Sequence, residues 1–130
     1  MADPRQLILV VDDMSETRRL MRRVLERNGM RVIEAETGEA ALLAVAVHRP
    51  DLVVLDLRLP GISGFDVARA IRSDPDPAIA RTTILACSAS VQAEVRRDAI
   101  DAGCDAFEGK PFNIHTFAEL IRSLITRVPS

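Results

Sequence analysis

Apolar positions along this chain follow two alternating rhythms. Continuous runs rich in branched residues recur at 7–11, 31–35, 52–55, 83–87 and 106–108, as strands do. Between them apolar residues return at helical spacing. Thr17, Leu20, Met21, Val24 and Leu25 mark one stripe, and Phe117, Leu120, Ile121, Leu124, Ile125 and Val128 mark the clearest one. The stretches 37–48, 64–74 and 92–103 supply three more helices. The first helix is expected to close at Asn28 or Gly29, where a left-handed residue ends it, and the fourth at Gly103. The order is a strand followed by a helix, five times over. The stretch 73–83, "SDPDPAIARTT", is the longest irregular candidate, and its two prolines predict a rigid surface connection.

Strands such as "LVVLD" are apolar on consecutive residues, which predicts burial on both faces and hence a parallel sheet between helix layers. Ligands of such sheets sit at the carboxyl ends of the strands. Those ends carry Asp12 and Asp13 after the first strand, Asp56 after the third, Ser88 after the fourth and Lys110 after the fifth. Taken singly, each has an ordinary explanation: Asp13 as the cap of the first helix with Glu16 completing a capping box, Ser88 as a turn residue. Together they make a coherent chemistry. Two adjacent carboxylates at the end of an apolar strand need a cation, and three clustered carboxylates suit Mg²⁺. One carboxylate then serves as a nucleophile toward phosphorus, with Lys110 and the metal stabilising charge and Ser88 donating a hydrogen bond. Asp56 is the expected nucleophile, since it lies on the central strand and leads into Pro60-Gly61, a tight turn, and Gly64, where the next helix starts close by.

Composition narrows the field. With 130 residues, 48% of them hydrophobic and 28% charged, one globular domain is expected over 1–130, with a core of about 6–127. A net charge of −2 with scattered basic residues gives no footprint for direct nucleic-acid binding. No segment suits a membrane helix, and the start "MADPRQ" is unlike a signal peptide, so a cytoplasmic location is expected. Cys87 and Cys104 lack the spacing of a metal or disulfide framework and are expected to be buried thiols. His48 and His115 have no companion ligands.

The motifs "VVDDMSETR", "DLVVLDLRLPGISGFD", "ILACSAS" and "GCDAFEGKPF" jointly resemble the receiver domains of two-component response regulators, most like single-domain chemotaxis-type receivers. The resemblance spans nearly the whole chain. It implies an α/β, flavodoxin-like, doubly wound five-stranded parallel sheet of strand order 2-1-3-4-5. It also implies that Asp12, Asp13, Asp56 and the backbone carbonyl of Arg58 hold Mg²⁺, with Mn²⁺ as a substitute. By the same resemblance Asp56 is expected to take the phosphoryl group from a phosphohistidine of a sensor histidine kinase or phosphotransfer protein, and Ser88 and Lys110 to bind that group. Lys110-Pro111 is expected to be a cis peptide. On phosphorylation Ser88 and Phe107 are expected to move together and alter a face made of the fourth helix, fifth strand and fifth helix, which docks a downstream protein. The alternative for Phe107 is a plain core ring. Arg58 and Ser90 are expected to set the lifetime of the phosphorylated state. Met14, with Arg18, Met21 and Arg22, is expected to belong to the kinase-docking face, unless these are ordinary surface and core.

Rival readings fare worse. A haloacid dehalogenase-like phosphatase needs an acid two residues after its nucleophile, and here that residue is Arg58. A flavodoxin-like flavin carrier needs a hydroxyl- and glycine-rich loop where this chain has "DDMSET", and aromatics beside the ring, yet Trp and Tyr are absent. A phosphorylation-independent binding module on the same fold usually loses part of the acid, hydroxyl and lysine set, which this chain keeps whole. The chain stops soon after the fifth helix, so the expected output is another protein, reached as a monomer or a phosphorylation-linked dimer. A receiver cut from a hybrid histidine kinase is the remaining alternative.

Overall fold

The computed structural model describes residues 5–126. The strands are β1 (Leu7–Val11), β2 (Arg31–Ala35), β3 (Leu52–Asp56), β4 (Thr83–Ser88) and β5 (Ala106–Gly109). The helices are α1 (Ser15–Arg27), α2 (Gly38–His48), α3 (Gly64–Arg72), α4 (Pro77–Ala80), α5 (Ala93–Asp101) and α6 (Phe117–Thr126). All strand pairings are parallel, and the sheet order is β2-β1-β3-β4-β5. The chain therefore has the expected flavodoxin-like doubly wound fold.

Alternation along each strand divides the core in two. Ile8, Val10, Leu52, Val54, Leu85 and Cys87 face α1 and α6, whereas Leu9, Val11, Val53, Leu55, Ile84 and Ala86 face α2, α3, α4 and α5. β1 and β3 are buried at every position, which explains why their sequences are apolar without a break. The thiols of Cys87 and Cys104 are buried and free, and burial pushes them up to about 12 and about 11.

Several expectations need correction. The stretch 73–83 is not simply irregular: Asp76 accepts a bond from the Ala78 N–H and starts the short helix α4 at Pro77. Leu20, placed on the buried stripe of α1, is 40% exposed, and Met21 and Leu25 carry that contact. α1 is not capped by Asp13, since its cap position is Met14, without a side-chain bond. β3, β4 and β5 each run one residue further than predicted, and so include Asp56, Ser88 and Gly109. Gly29, at φ +82, closes α1 as expected. Val128 lies outside the described residues.

Arg72 ties the loops at the amino end of the sheet together. Its guanidinium donates to the carbonyls of Gly103, Ala80 and Thr82 at 2.7–2.8 Å and to Asp105 at 2.8 Å. Asp105 in turn accepts from the Ile84 N–H. Arg72→Ala is expected to cost about 2–3 kcal/mol, because several acceptors lose a charged donor at once; the midpoint of urea unfolding measures it.

Candidate functional site

The carboxyl ends of β1 and β3 deliver three acids to one place. Asp12 directly follows β1, held by its N–H to the Ala35 carbonyl, and its side chain is 1% exposed. Its Oδ1 accepts from the Met14 N–H at 2.9 Å, which turns the chain into α1 and leaves Asp13 at the surface. Arg18 Nη1 donates to the Asp12 carbonyl at 2.7 Å. Asp56 ends the central strand, and its Oδ1 accepts from the Arg58 N–H at 3.0 Å. Asp12, Asp13 and Asp56 each offer an oxygen within 4.8 Å of the others.

Lys110 directly follows β5, the edge strand, at the same carboxyl end of the sheet. The Lys110-Pro111 peptide is cis, and the Lys110 N–H donates to the Ser88 carbonyl at 2.8 Å. Its Nζ donates to Asp12 Oδ2 at 2.6 Å and to Asp56 Oδ2 at 3.1 Å. Burial disfavours this ammonium, but the hydrogen bond to Asp12 and the charges of Asp56 and Asp12 outweigh it and hold the lysine above its ordinary pKa. For Asp56 burial wins: its carboxyl titrates above the usual range, aided by the charge of Asp12, despite the Arg58 N–H and Lys110. The site fits a divalent cation on its own chemistry, because three carboxylates facing one ammonium leave a surplus of two negative charges.

Gly64 keeps Asp56 in place. Its N–H donates to the Leu57 carbonyl at 3.1 Å, and a Cβ there would lie 2.6 Å from the Leu57 Cα. Ser63 and Asp66 then cap α3 reciprocally. Gly64→Ala is expected to cost about 2–3 kcal/mol in urea unfolding, since the obstacle is backbone, and to slow chemistry at Asp56.

The remaining predicted residues sit around this centre. Ser88 ends β4 one residue beyond Cys87, which is the register partner of Asp56. Its Oγ accepts from the Ser90 N–H at 3.1 Å, a turn role that still lets the hydroxyl donate. Ser90 is half-buried, and the Arg58 side chain is exposed. Phe107 pairs in register with Ala86 and is half-buried against the core, with the Arg96 guanidinium 5.1 Å from its ring centroid. His48 and His115 are exposed at separate points.

Of the residues expected on a docking face of α1, Met21 is core and the two arginines are held by acids. Met14 is exposed, but Met21 is 1% exposed and belongs to the core. Arg18 and Arg22 both clamp Glu34, at 2.9 and 2.7 Å, and Arg22 also bonds Glu26. Burial works against the Glu34 carboxylate, yet these two arginines hold it below its ordinary pKa. Arg18 is thus a strut behind Asp12, a role its sequence position did not disclose. A usable signal did exist: Lys110 is the chain's only lysine, and every other basic side chain apart from the histidines is arginine. The one compact ammonium stands where two carboxylates share it.

Known proteins resemble this chain in sequence and in fold. The family model for the response regulator receiver domain matches residues 8–122. The transcriptional regulatory protein KdpE of Mycobacterium tuberculosis is 37% identical over 121 residues, covering 93% of this chain and 51% of KdpE. The sensor histidine kinase AruS of Pseudomonas aeruginosa is 33% identical over 123 residues, 95% of this chain but 12% of AruS. Among solved structures, the Vibrio cholerae chemotaxis protein CheY4 matches with a TM-score of 0.86 at 25% identity, covering 92% of this chain and 98% of that one. The chain spans about half the length of KdpE.

Proposed function

The chain belongs to the response regulator receiver domain family of two-component systems, and on that premise we propose that Asp56 is its phosphoacceptor and that Asp12, Asp13, Asp56 and the Arg58 carbonyl hold Mg²⁺. The observation that carries the reading is the single cluster in which Lys110 bridges the buried Asp12 and Asp56. The step is an exchange at phosphorus. An Asp56 carboxylate oxygen forms a P–O bond while the P–N bond of a phosphohistidine breaks, and the released imidazole takes a proton from solvent. Lys110 reaches the oxygens that gain charge, and Ser88 donates its hydroxyl to them. The cation, when bound, neutralises the carboxylates and draws charge from the transferring group.

The donor in this reading is a sensor histidine kinase or a phosphotransfer protein. The output is a protein docked on the face formed by α5, β5 and α6, whose arrangement shifts as the new charge favours one of two states. The short helix α4 is why these helices, fourth and fifth by sequence pattern, are numbered five and six here. Phe107 is the proposed aromatic of that switch, and Arg58 and Ser90 set how long the phosphoryl group stays. No helix among the described residues is long and apolar enough to cross a membrane; a cytoplasmic site of action fits a kinase partner.

Incubation with acetyl phosphate followed by intact-protein mass tests the reading. One phosphoryl adduct is expected with Mg²⁺ and none after chelation. An adduct of equal yield without the metal would remove the cation from the proposal. Arg58→Ala is expected to change the decay of the adduct, and an unchanged rate would remove Arg58 from its tuning role.

A further inference from the structure

Of the three clustered acids, Asp13 is the one whose side chain nothing holds. Asp12 accepts from the Met14 N–H and from Lys110, and Asp56 accepts from the Arg58 N–H and from Lys110. The Asp13 carboxylate is exposed and has no hydrogen bond or ion pair among the described residues, yet it offers an oxygen within 4.8 Å of the other two. Its direction is therefore set by the backbone that carries it. The carbonyl of the peptide joining Asp12 to Asp13 accepts from Arg18 Nη1 at 2.7 Å. Arg18, with 14% of its side chain exposed, also donates from Nε to Glu34 Oε1 at 2.9 Å, and Arg22 takes the second Glu34 oxygen at 2.7 Å. One planar fork thus joins β2 to the end of β1, reaching two acceptors in fixed directions at once.

We infer that Arg18 is a positioning residue for the cation site: held by Glu34, it fixes the peptide between Asp12 and Asp13 and so aims the Asp13 carboxylate toward Asp12 and Asp56. This rests on the reading of the three acids as a divalent-cation site. Coulomb's law alone argues the other way, because a guanidinium beside a cation site repels the ion, and removing it would tighten binding. Glu34 weakens that repulsion. Its carboxylate lies against the same guanidinium and cancels much of the charge, so Arg18 supplies geometry at little electrostatic cost to the ion. Partners one bond removed from metal ligands ordinarily govern affinity by about 10- to 100-fold. The sign of the change on removing Arg18 separates positioning from charge.

Mn²⁺ binding to the full chain, followed by the electron paramagnetic resonance signal of the free ion with no phosphodonor present, tests it. Arg18→Ala is expected to weaken Mn²⁺ about tenfold or more. Arg18→Lys keeps the charge without the fork and is expected to weaken it as well; should Arg18→Ala not fold, Arg18→Lys carries the same comparison. Arg72→Ala, at the other end of the sheet, costs stability but is expected to bind as the wild type does. In an Asp13→Asn background, Arg18→Ala is expected to cause no further loss, since both changes act through one carboxylate. Unchanged or tighter binding in Arg18→Ala overturns the inference. So do wild-type affinity in Arg18→Lys, an equal loss in Arg72→Ala, or losses that add in full with Asp13→Asn. A wild type that binds no Mn²⁺ removes the cation reading itself, and the role of Arg18 with it.

Discussion

Asp56→Asn is expected to lose the phosphoryl adduct completely while making the metal-free protein more stable. The amide keeps the shape and can still accept the Arg58 N–H, but it has no anionic oxygen to attack phosphorus. The gain in stability follows from the raised pKa of Asp56, whose largest cause is burial, with the charge of Asp12 adding to it. A folded state that raises a carboxyl pKa binds its proton more tightly than the unfolded state does. Stability therefore falls as pH rises from the unfolded carboxylate value of about 3.9 through the higher folded value, and the penalty is constant above it. Urea midpoints without metal are expected to be higher for Asp56→Asn at pH 7, with the gap closing as the pH falls toward about 4. Equal midpoints at pH 7 would mean that Lys110 already balances the acids.

Lys110→Ala is expected to have the opposite effect on stability and a large effect on chemistry. It leaves Asp12 and Asp56, with side chains 1% and 8% exposed, side by side without a counter-charge. Removing one partner of a buried ion pair costs about 3 kcal/mol. Phosphoryl uptake from acetyl phosphate is expected to fall about 100-fold or more, since a positive group aimed at the developing charge is gone. Lys110→Arg separates the two effects: it keeps the charge and part of the stability, but its planar fork does not replace a compact ammonium shared between two carboxylates. The lysine contribution has the opposite pH sense to that of Asp56. Its raised pKa keeps the stabilisation whole below the unfolded lysine value of about 10.4 and loses it only as pH climbs through the folded one. The Lys110→Ala deficit should therefore be full at pH 7.

Much of this was legible in the sequence, for identifiable reasons. β1 and β3 are buried on both faces, so their composition announced them, and the strand-end rule then located Asp12, Asp13, Asp56, Ser88 and Lys110 without knowledge of any contact. What the pattern hid were roles set by partners distant along the chain. Leu20 reads as core by spacing, yet Met21 and Leu25 take the contact and leave it 40% exposed. Arg18 and Arg22 were expected on a docking face or as ordinary surface, and the sequence did not disclose that Glu34 on β2 fixes both. Helix α4 was missed because its signal is a single Asp-Pro cap within a stretch too short for periodicity.

The central claim is that phosphate is carried on Asp56, and borohydride reduction tests it most directly. An aspartyl phosphate is an acyl phosphate, which borohydride reduces to the alcohol, so peptide mass mapping after acetyl phosphate, Mg²⁺ and borohydride reads the acceptor as homoserine. The account predicts homoserine at position 56 alone. Homoserine at position 12 or 13, or phosphate retained on His48 or His115 with position 56 unmodified, would contradict it.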